Sequence, residues 1–263
     1  MIELYHDNLS VCAQKVRIVL AEKNLSWTNR HVNLAAAEHL TPEFKKMNPR
    51  GVVPVLVHDG NVIVESSVIC AYLDEVFPNP PLSPKSPVER ATMRLWCKLP
   101  DDVLHMACAT VSFAISFGQQ LKKQMGAGLE ERLMKMPDPA RRDRQRALIE
   151  KGIETPFFRD HIKIFEKTFA EMEAQLGKTK WLASDMFTLA DIEITPYVER
   201  IDRLGLNGMW ESRPRLADWF ARIKARPTFK PAFLDWCPQQ LTDDLKTFGQ
   251  QSWPSVQRVL AAA

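Results

Sequence analysis

A chain of 263 residues with 45% hydrophobic side chains carries enough apolar material for one large core or two modest ones, which excludes a mainly disordered protein. Its 35 basic and 32 acidic residues leave a net charge of only +3, spread along the chain, too little to argue for nucleic acid as a partner. The five cysteines, Cys12, Cys70, Cys97, Cys108 and Cys237, contain no C-x-x-C pair, so a reduced compartment is expected and a metal site is not.

The opening Met1-Ile2-Glu3-Leu4-Tyr5 alternates as a strand does and lacks the basic-then-apolar order of a signal peptide. The uncharged stretch Met106 to Leu121 falls short of the roughly 20 apolar residues a membrane span needs. A cytoplasmic protein with no membrane partner is the expectation. After the first strand, Val11 to Lys23 places Val16, Val19 and Leu20 on one helical face. Trp27 to Leu34 reads as a second strand, and Thr41-Pro42-Glu43-Phe44 as a helix start with Thr41 as cap and Pro42 in the first helical position. Val53 to Val57 and Val62 to Val64, joined by Asp59-Gly60, form an antiparallel hairpin pattern, and Glu65-Ser66-Ser67 opens a helix that runs to about Val76.

Pro78, Pro80, Pro81, Pro84 and Pro87 then crowd one short stretch, where neither helix nor sheet can persist. Beyond it the pattern is helical throughout. The predicted order is βαβαββα followed by helices only: an α+β chain of two domains, residues 1–77 and 88–263, joined by a proline-rich linker at 78–87.

Three places in the first domain point to a ligand. Pro54 interrupts the apolar run Val52 to Val57, where a proline removes a ladder donor; a cis bond there would turn the backbone polar groups of Val53 outward. Glu65-Ser66 stands where a strand ends and a helix begins, and the free N–H groups and dipole of a helix start favour an anion. Ser10 precedes the first helix, and reads either as its N-cap or as a hydroxyl held beside the same kind of positive end.

The segments Ser10 to Arg17, Asn48-Pro49-Arg50-Gly51-Val52-Val53-Pro54 and Glu65-Ser66 resemble, in order and spacing, the three glutathione-site motifs of glutathione S-transferases. Thr188-Leu189-Ala190-Asp191 reads as a capping box and resembles the buried capping signature of that family's helical domain. The resemblance covers essentially the whole chain and implies a thioredoxin-like first domain and an all-helical bundle that binds the second substrate. Within the family the chain is similar to the bacterial β-etherases that cleave lignin-derived β-aryl ethers. That likeness lies in Pro42 to Lys46, His58-Asp59-Gly60, Val64 to Cys70, Met93 to Lys98 and the extra length around Gln119 to Asp160.

Carried over residue by residue, the resemblance implies glutathione as cofactor, with Val53 pairing through its backbone to the cysteinyl unit. Glu65 and Ser66 would hold the γ-glutamyl group, and His39 would meet the glycine carboxylate. Val52 stands where many relatives have Gln, so one contact to the peptide is missing. Ser10 is the candidate that activates the thiol, with Asn8 and Cys12 as competitors. The second substrate, a small aromatic ether, is expected against the first long helix after the linker. That helix begins near Val88, and Lys98, Asp101, His105 and Cys108 follow at spacings that share a face, with Pro100 bending the helix or starting a new segment. His105 also reads as an interior histidine, and Trp236 and Trp253 either cover the pocket or anchor the C-terminal tail. Arg141 to Arg146, after the cap Asp138-Pro139, reads as a solvated helix face. A homodimer, or a heterodimer with a related chain, is expected. Two alternatives to ether cleavage are kept: a different glutathione-dependent activity (dehalogenation or maleyl-type isomerisation), and a weakly catalytic subunit of a heterodimer.

Overall fold

The computed structural model describes residues 1–134, 136 and 138–262; Ala263, the last residue of the expected helical domain, lies outside them, as do positions 135 and 137. The described chain forms two compact units. The first comprises Met1–Pro100, Gln175–Pro196 and Asp218–Cys237; the second comprises Asp101–Ala174, Tyr197–Ala217 and the C-terminal segment from Pro238.

The first unit contains a four-stranded sheet. β1 (Ile2–His6) pairs in parallel with β2 (Thr28–His31) and antiparallel with β3 (Val55–His58), which pairs antiparallel with β4 (Asn61–Val64). Alternation sets the two faces of the sheet. Leu4 and Leu56, partners in register and fully buried, share one. Tyr5, Val55 and Val64 share the other and pack with Val32, Phe44 and Val53. The helices follow the sequence pattern. α1 (Val11–Glu22) buries Val16, Val19 and Leu20. α2 (Pro42–Met47) is capped by Thr41, whose hydroxyl accepts from Phe44 N, with Pro42 at its first position. α3 (Ser66–Val76) buries Ile69, Cys70 and Leu73.

The Asp59-Gly60 hairpin turn has positive φ at both residues, +49° and +83°, as a tight two-residue connection requires. Two strands are shorter than their sequence patterns. β3 starts only at Val55, because Pro54 has no N–H to give the ladder. β2 stops at His31 because the chain then turns, Leu34 N donating to Asp7 Oδ2 and Ala36 N to Asn33 Oδ1.

The proline-rich stretch is pinned rather than loose. The buried Lys23 ammonium donates to Asp74 Oδ1 at 2.7 Å and to the carbonyls of Phe77 and Pro80, and Asp74 Oδ1 also accepts from Leu82 N. α4 (Pro87–Leu99) follows, capped by Ser86.

Past Pro100 the helix widens into a π-type turn over Pro100–Leu104, continues as α5 (His105–Ser112), widens again over Phe113–Phe117 and resumes as α6 (Gly118–Met125). Proline lacks the N–H that an α-turn needs, and the wider turn reorganises the bonds that follow. α7 (Leu129–Met134), α8 (Pro139–Lys151), α9 (Pro156–Leu176), α10 (Leu189–Arg203), α11 (Pro214–Lys224), α12 (Phe229–Ala232) and α13 (Gln239–Ala261) complete the order.

Thr188 and Asp191 form the predicted capping box: Asp191 accepts from Thr188 N at 3.0 Å, and Thr188 accepts from Ala190 N. Asp191 also holds Leu182 N and the indole N–H of Trp219, and burial pushes its carboxyl up against those donors. In the second unit α13 packs through Gly249, where an added Cβ would sit inside the Leu204 carbonyl, and Trp253 lies over Gly208. Trp253 therefore anchors the tail. The basic run of α8 is capped by Asp138 and is engaged in local contacts: Arg146 with Glu130 and Asp143, Arg144 with Met106.

Candidate active site

Strand register gathers the predicted site. Tyr5, Val55 and Val64 are consecutive partners across β1, β3 and β4, and His6 is the partner of His31 in β2. The segments that follow β1 (residues 7–10), follow β2 (32–41), precede β3 (51–54) and follow β4 (65–66) therefore all leave the sheet at one edge. Ser10, His39, Val53 and Glu65-Ser66 lie on those four segments. The starts of α1 and α3 rise from the same edge, so two positive helix ends meet there.

Ser10 is the N-cap of α1: its hydroxyl accepts from Ala13 N at 3.2 Å. A hydroxyl that accepts keeps its own O–H to donate elsewhere, so capping and thiol activation are compatible. Asn8 presents a buried amide oxygen that has no hydrogen-bond partner among the described residues. Cys12 is a half-buried thiol in the first turn of α1.

The loop carrying these residues is held from behind by Arg17. Its buried guanidinium donates to the carbonyls of Asn8 (2.9 Å), Asp7 (3.4 Å) and Ala232 (2.9 Å), and to His6 Nδ1 at 3.0 Å. Arginine only donates, so Nδ1 is the acceptor, and Nε2 carries the proton that it gives to Asn29 Oδ1 at 2.9 Å. Burial and then the neighbouring Arg17 charge bring the His6 pKa down to about 4, which keeps the ring neutral. His6 also meets Trp27 and Trp236 edge-on, and those two indoles stack at 5.6 Å; Trp236 is thus an anchor too.

On the next segment the buried Asn48 shapes the turn, donating from Nδ2 to the Val52 carbonyl at 2.8 Å and accepting from Arg50 N. Gly51 has φ +58°, and a Cβ there would come within 3.0 Å of the His39 carbonyl, so the His39 turn packs directly on this strand approach. The Val53–Pro54 bond is cis. Glu65 has φ +69°, a region that non-glycine residues seldom occupy and that is enriched at ligand sites. Its carboxylate pairs with Arg50 at 2.5 Å.

Ser66 is buried, and its Oγ accepts from Lys15 Nζ at 3.4 Å; Lys15 is itself fully buried and paired with Glu193 at 2.7 Å. Burial first, then Glu193, pushes the neighbouring Cys70 thiol up, so it stays protonated.

Of the expected second-substrate residues, Lys98 in α4, Asp101 in the wide turn and His105 at the start of α5 are exposed, whereas Cys108 is buried against Ser112. His105 is thus not interior, and Cys108 does not keep the face of Asp101 and His105. The wide turn sets the phase in which α5 begins, and within α5 the three residues from His105 to Cys108 turn through about 300°, across the boundary between its exposed and buried sides.

Sequence reasoning missed Lys15, Arg17, His6 and Glu193. The available signal was that Lys15 and Arg17 are embedded in Val11 to Leu20, with no acidic residue one turn away to pair on a surface.

Residues 4–81 match the family model "Glutathione S-transferase, N-terminal domain", and residues 139–222 match "Glutathione S-transferase, C-terminal domain". The chain is 32% identical to Protein LigF of Sphingobium sp. over 88% of its own length and 93% of that relative's. The chain belongs to the glutathione S-transferase family. Its fold superposes on the crystal structure titled beta-etherase LigF with a TM-score of 0.79, at 31% identity, covering 89% of this chain and 99% of that one. It is also 29% identical to glutathione S-transferase F13 of Arabidopsis thaliana, over 86% of this chain and 92% of that one.

Glutathione is the co-substrate that goes with this family, and the edge suits it chemically. The paired helix starts and the Ser66 hydroxyl favour a carboxylate, and the Glu65 carboxylate favours an ammonium. Among the described residues no cluster of three or more His, Cys, Asp or Glu could hold a metal, and no helix is long and apolar enough to cross a membrane.

Proposed function

We propose that this transferase is a β-etherase acting on α-keto β-aryl ethers of lignin-derived aromatics. The likeness to LigF over nearly the whole of both chains carries this reading. Val53 pairs by its backbone with the cysteinyl unit of glutathione, Glu65 and Ser66 take the γ-glutamyl amine and carboxylate, and His39 takes the glycine carboxylate. Ser10 donates its O–H to the sulfur at the positive end of α1. Asn8 offers an acceptor toward the interior, which a thiolate does not want, and so ranks behind Ser10.

A free thiol with a pKa near 8.5 is only about 3% ionised at pH 7; lowering it to about 6.5 makes about three quarters of it reactive. The thiolate attacks the carbon that bears the aryloxy group beside the ketone. A C–S bond forms, the C–O bond breaks, and the aryloxide leaves with the electron pair. Lys98, Asp101 and His105 are proposed to face the aromatic substrate. Cys108, buried against Ser112, would act only by shaping the helix behind them. A dimer with a second copy or a related chain is part of the proposal, supported by the exposed apolar Val68 and Val76 on α3 and Val88 and Leu95 on α4.

The test is incubation of the purified chain with glutathione and an α-keto β-guaiacyl ether. Guaiacol should appear only when glutathione is present, and Ser10→Ala should lower kcat/KM by about 100-fold, as loss of one donor to a developing or stabilised anion does. No guaiacol, or release that does not need glutathione, contradicts the reading. A second reading is favoured by the half-buried Cys12 thiol in the first turn of α1: reductive dehalogenation or maleyl-type isomerisation. Cys12→Ser abolishes a cysteine-dependent dehalogenation and leaves ether cleavage nearly unchanged.

A further inference from the structure

The ion pair between Lys15 on α1 and Glu193 on α10 is almost completely shielded from water, at 0% and 1% exposure. Such a pair loses as much in desolvation as it regains in attraction, so it adds little to stability over apolar side chains of the same size. Its geometry, however, reaches the site. The ammonium stands 2.7 Å from Glu193 Oε2 and 3.4 Å from Ser66 Oγ, at the first residue of α3. An ammonium only donates, so Ser66 Oγ receives a hydrogen bond from behind and its own O–H is turned to donate forward. A carboxylate only accepts, and a hydroxyl held as donor is what it requires. Glu193 holds the ammonium and also accepts from the protonated Cys70 thiol one turn further along α3, so both charges of the pair are tied to the helix that begins at Ser66.

We infer that Lys15 and Glu193 are positioning residues that hold the Ser66 hydroxyl as a donor for the γ-glutamyl carboxylate of glutathione, and so set the affinity for that one group. The inference rests on the proposed place of Ser66 in the glutathione site. The pair touches no reacting atom, so it acts on binding and leaves the chemical step alone.

The test is calorimetry on the full chain with two ligands: glutathione, and 4-aminobutyryl-cysteinylglycine, which lacks only the γ-glutamyl carboxylate. Replacing the pair by apolar side chains of similar size, Lys15→Met with Glu193→Met, should weaken glutathione about tenfold and the analogue by less than about twofold. Turnover at saturating glutathione should be unchanged, so that KM rises while kcat does not. In a Ser66→Ala background the same pair of substitutions should cost no further affinity. If the apolar pair does not fold, Lys15→Gln with Glu193→Gln removes both charges at nearly constant size, and the same selectivity is expected. Equal weakening of both ligands shows a merely structural role and overturns the inference, as does unchanged glutathione affinity. A parent chain that takes up no glutathione overturns the site reading itself, which separates the two failures.

Discussion

The site edge of the first unit and the helical stack of the second differ in what fixes them most closely; both bury charge, the second unit in its Glu199–Arg203 pair, but the tightest approaches to glycine among the described residues lie in the second. At the edge, backbone and side chains are fixed by buried charge: Arg17 on three carbonyls and a neutral histidine, and Lys15 against Glu193. In the second unit the elements close on one another where a side chain is missing, Gly249 on the Leu204 carbonyl, Gly208 under Trp253 and Gly118 against Ile149. Buried charge specifies direction, which a binding edge needs; close apolar packing specifies distance, which a stack of helices needs. The two regions should therefore break differently.

The largest effect belongs to the stack. Gly249→Val has no room beside the Leu204 backbone and should cost about 4 kcal/mol or more, read as loss of the unfolding transition of the second unit in urea. A midpoint like that of the parent chain would mean that α13 does not dock so closely. Next comes Arg17→Met, which strips the donor from buried carbonyls of Asp7, Asn8 and Ala232. It should cost about 3 kcal/mol and weaken glutathione binding with it, because residues 7–10 lose their anchor.

The pH dependence of the edge is smaller. His6 titrates near 4 in the folded chain against 6.5 when unfolded, so between those values the unfolded state binds more protons. The stability it contributes is complete above pH 6.5 and is lost as pH falls toward 4. About 2 kcal/mol should disappear between pH 7 and pH 5, and His6→Asn should remove that slope in urea titrations. The smallest effect is expected at the rim: Arg50→Ala breaks an exposed pair with Glu65 and should change stability by less than about 0.5 kcal/mol.

Local chemistry made much of the first unit readable. Thr41-Pro42 could only begin a helix, Asp59-Gly60 could only close a tight hairpin, and Pro54 in an apolar run demanded an explanation that a cis bend before β3 supplies. The capping box at Thr188 and Asp191 was readable for the same reason, both partners lying within one turn. What was hidden is non-local. Lys15 on a helix reads as solvated until Glu193, far along the chain, is brought against it, and Arg17 shows its purpose only once Ala232 and His6 surround it. The phase of α5 was hidden for another reason: Pro100 announces a disturbance but not its size, and the wide turn decides which positions of α5 face inward, Cys108 among them and His105 not.

The central claim is that the segments gathered at one sheet edge bind glutathione with its sulfur ionised by Ser10. The direct measurement is an ultraviolet titration of the thiolate of glutathione bound to the full chain and to Ser10→Ala. The account predicts half-ionisation near pH 6.5, about two units below the free thiol, and a return toward 8.5 in the variant. Bound glutathione that titrates like the free tripeptide, or a variant that titrates like the parent, would contradict it.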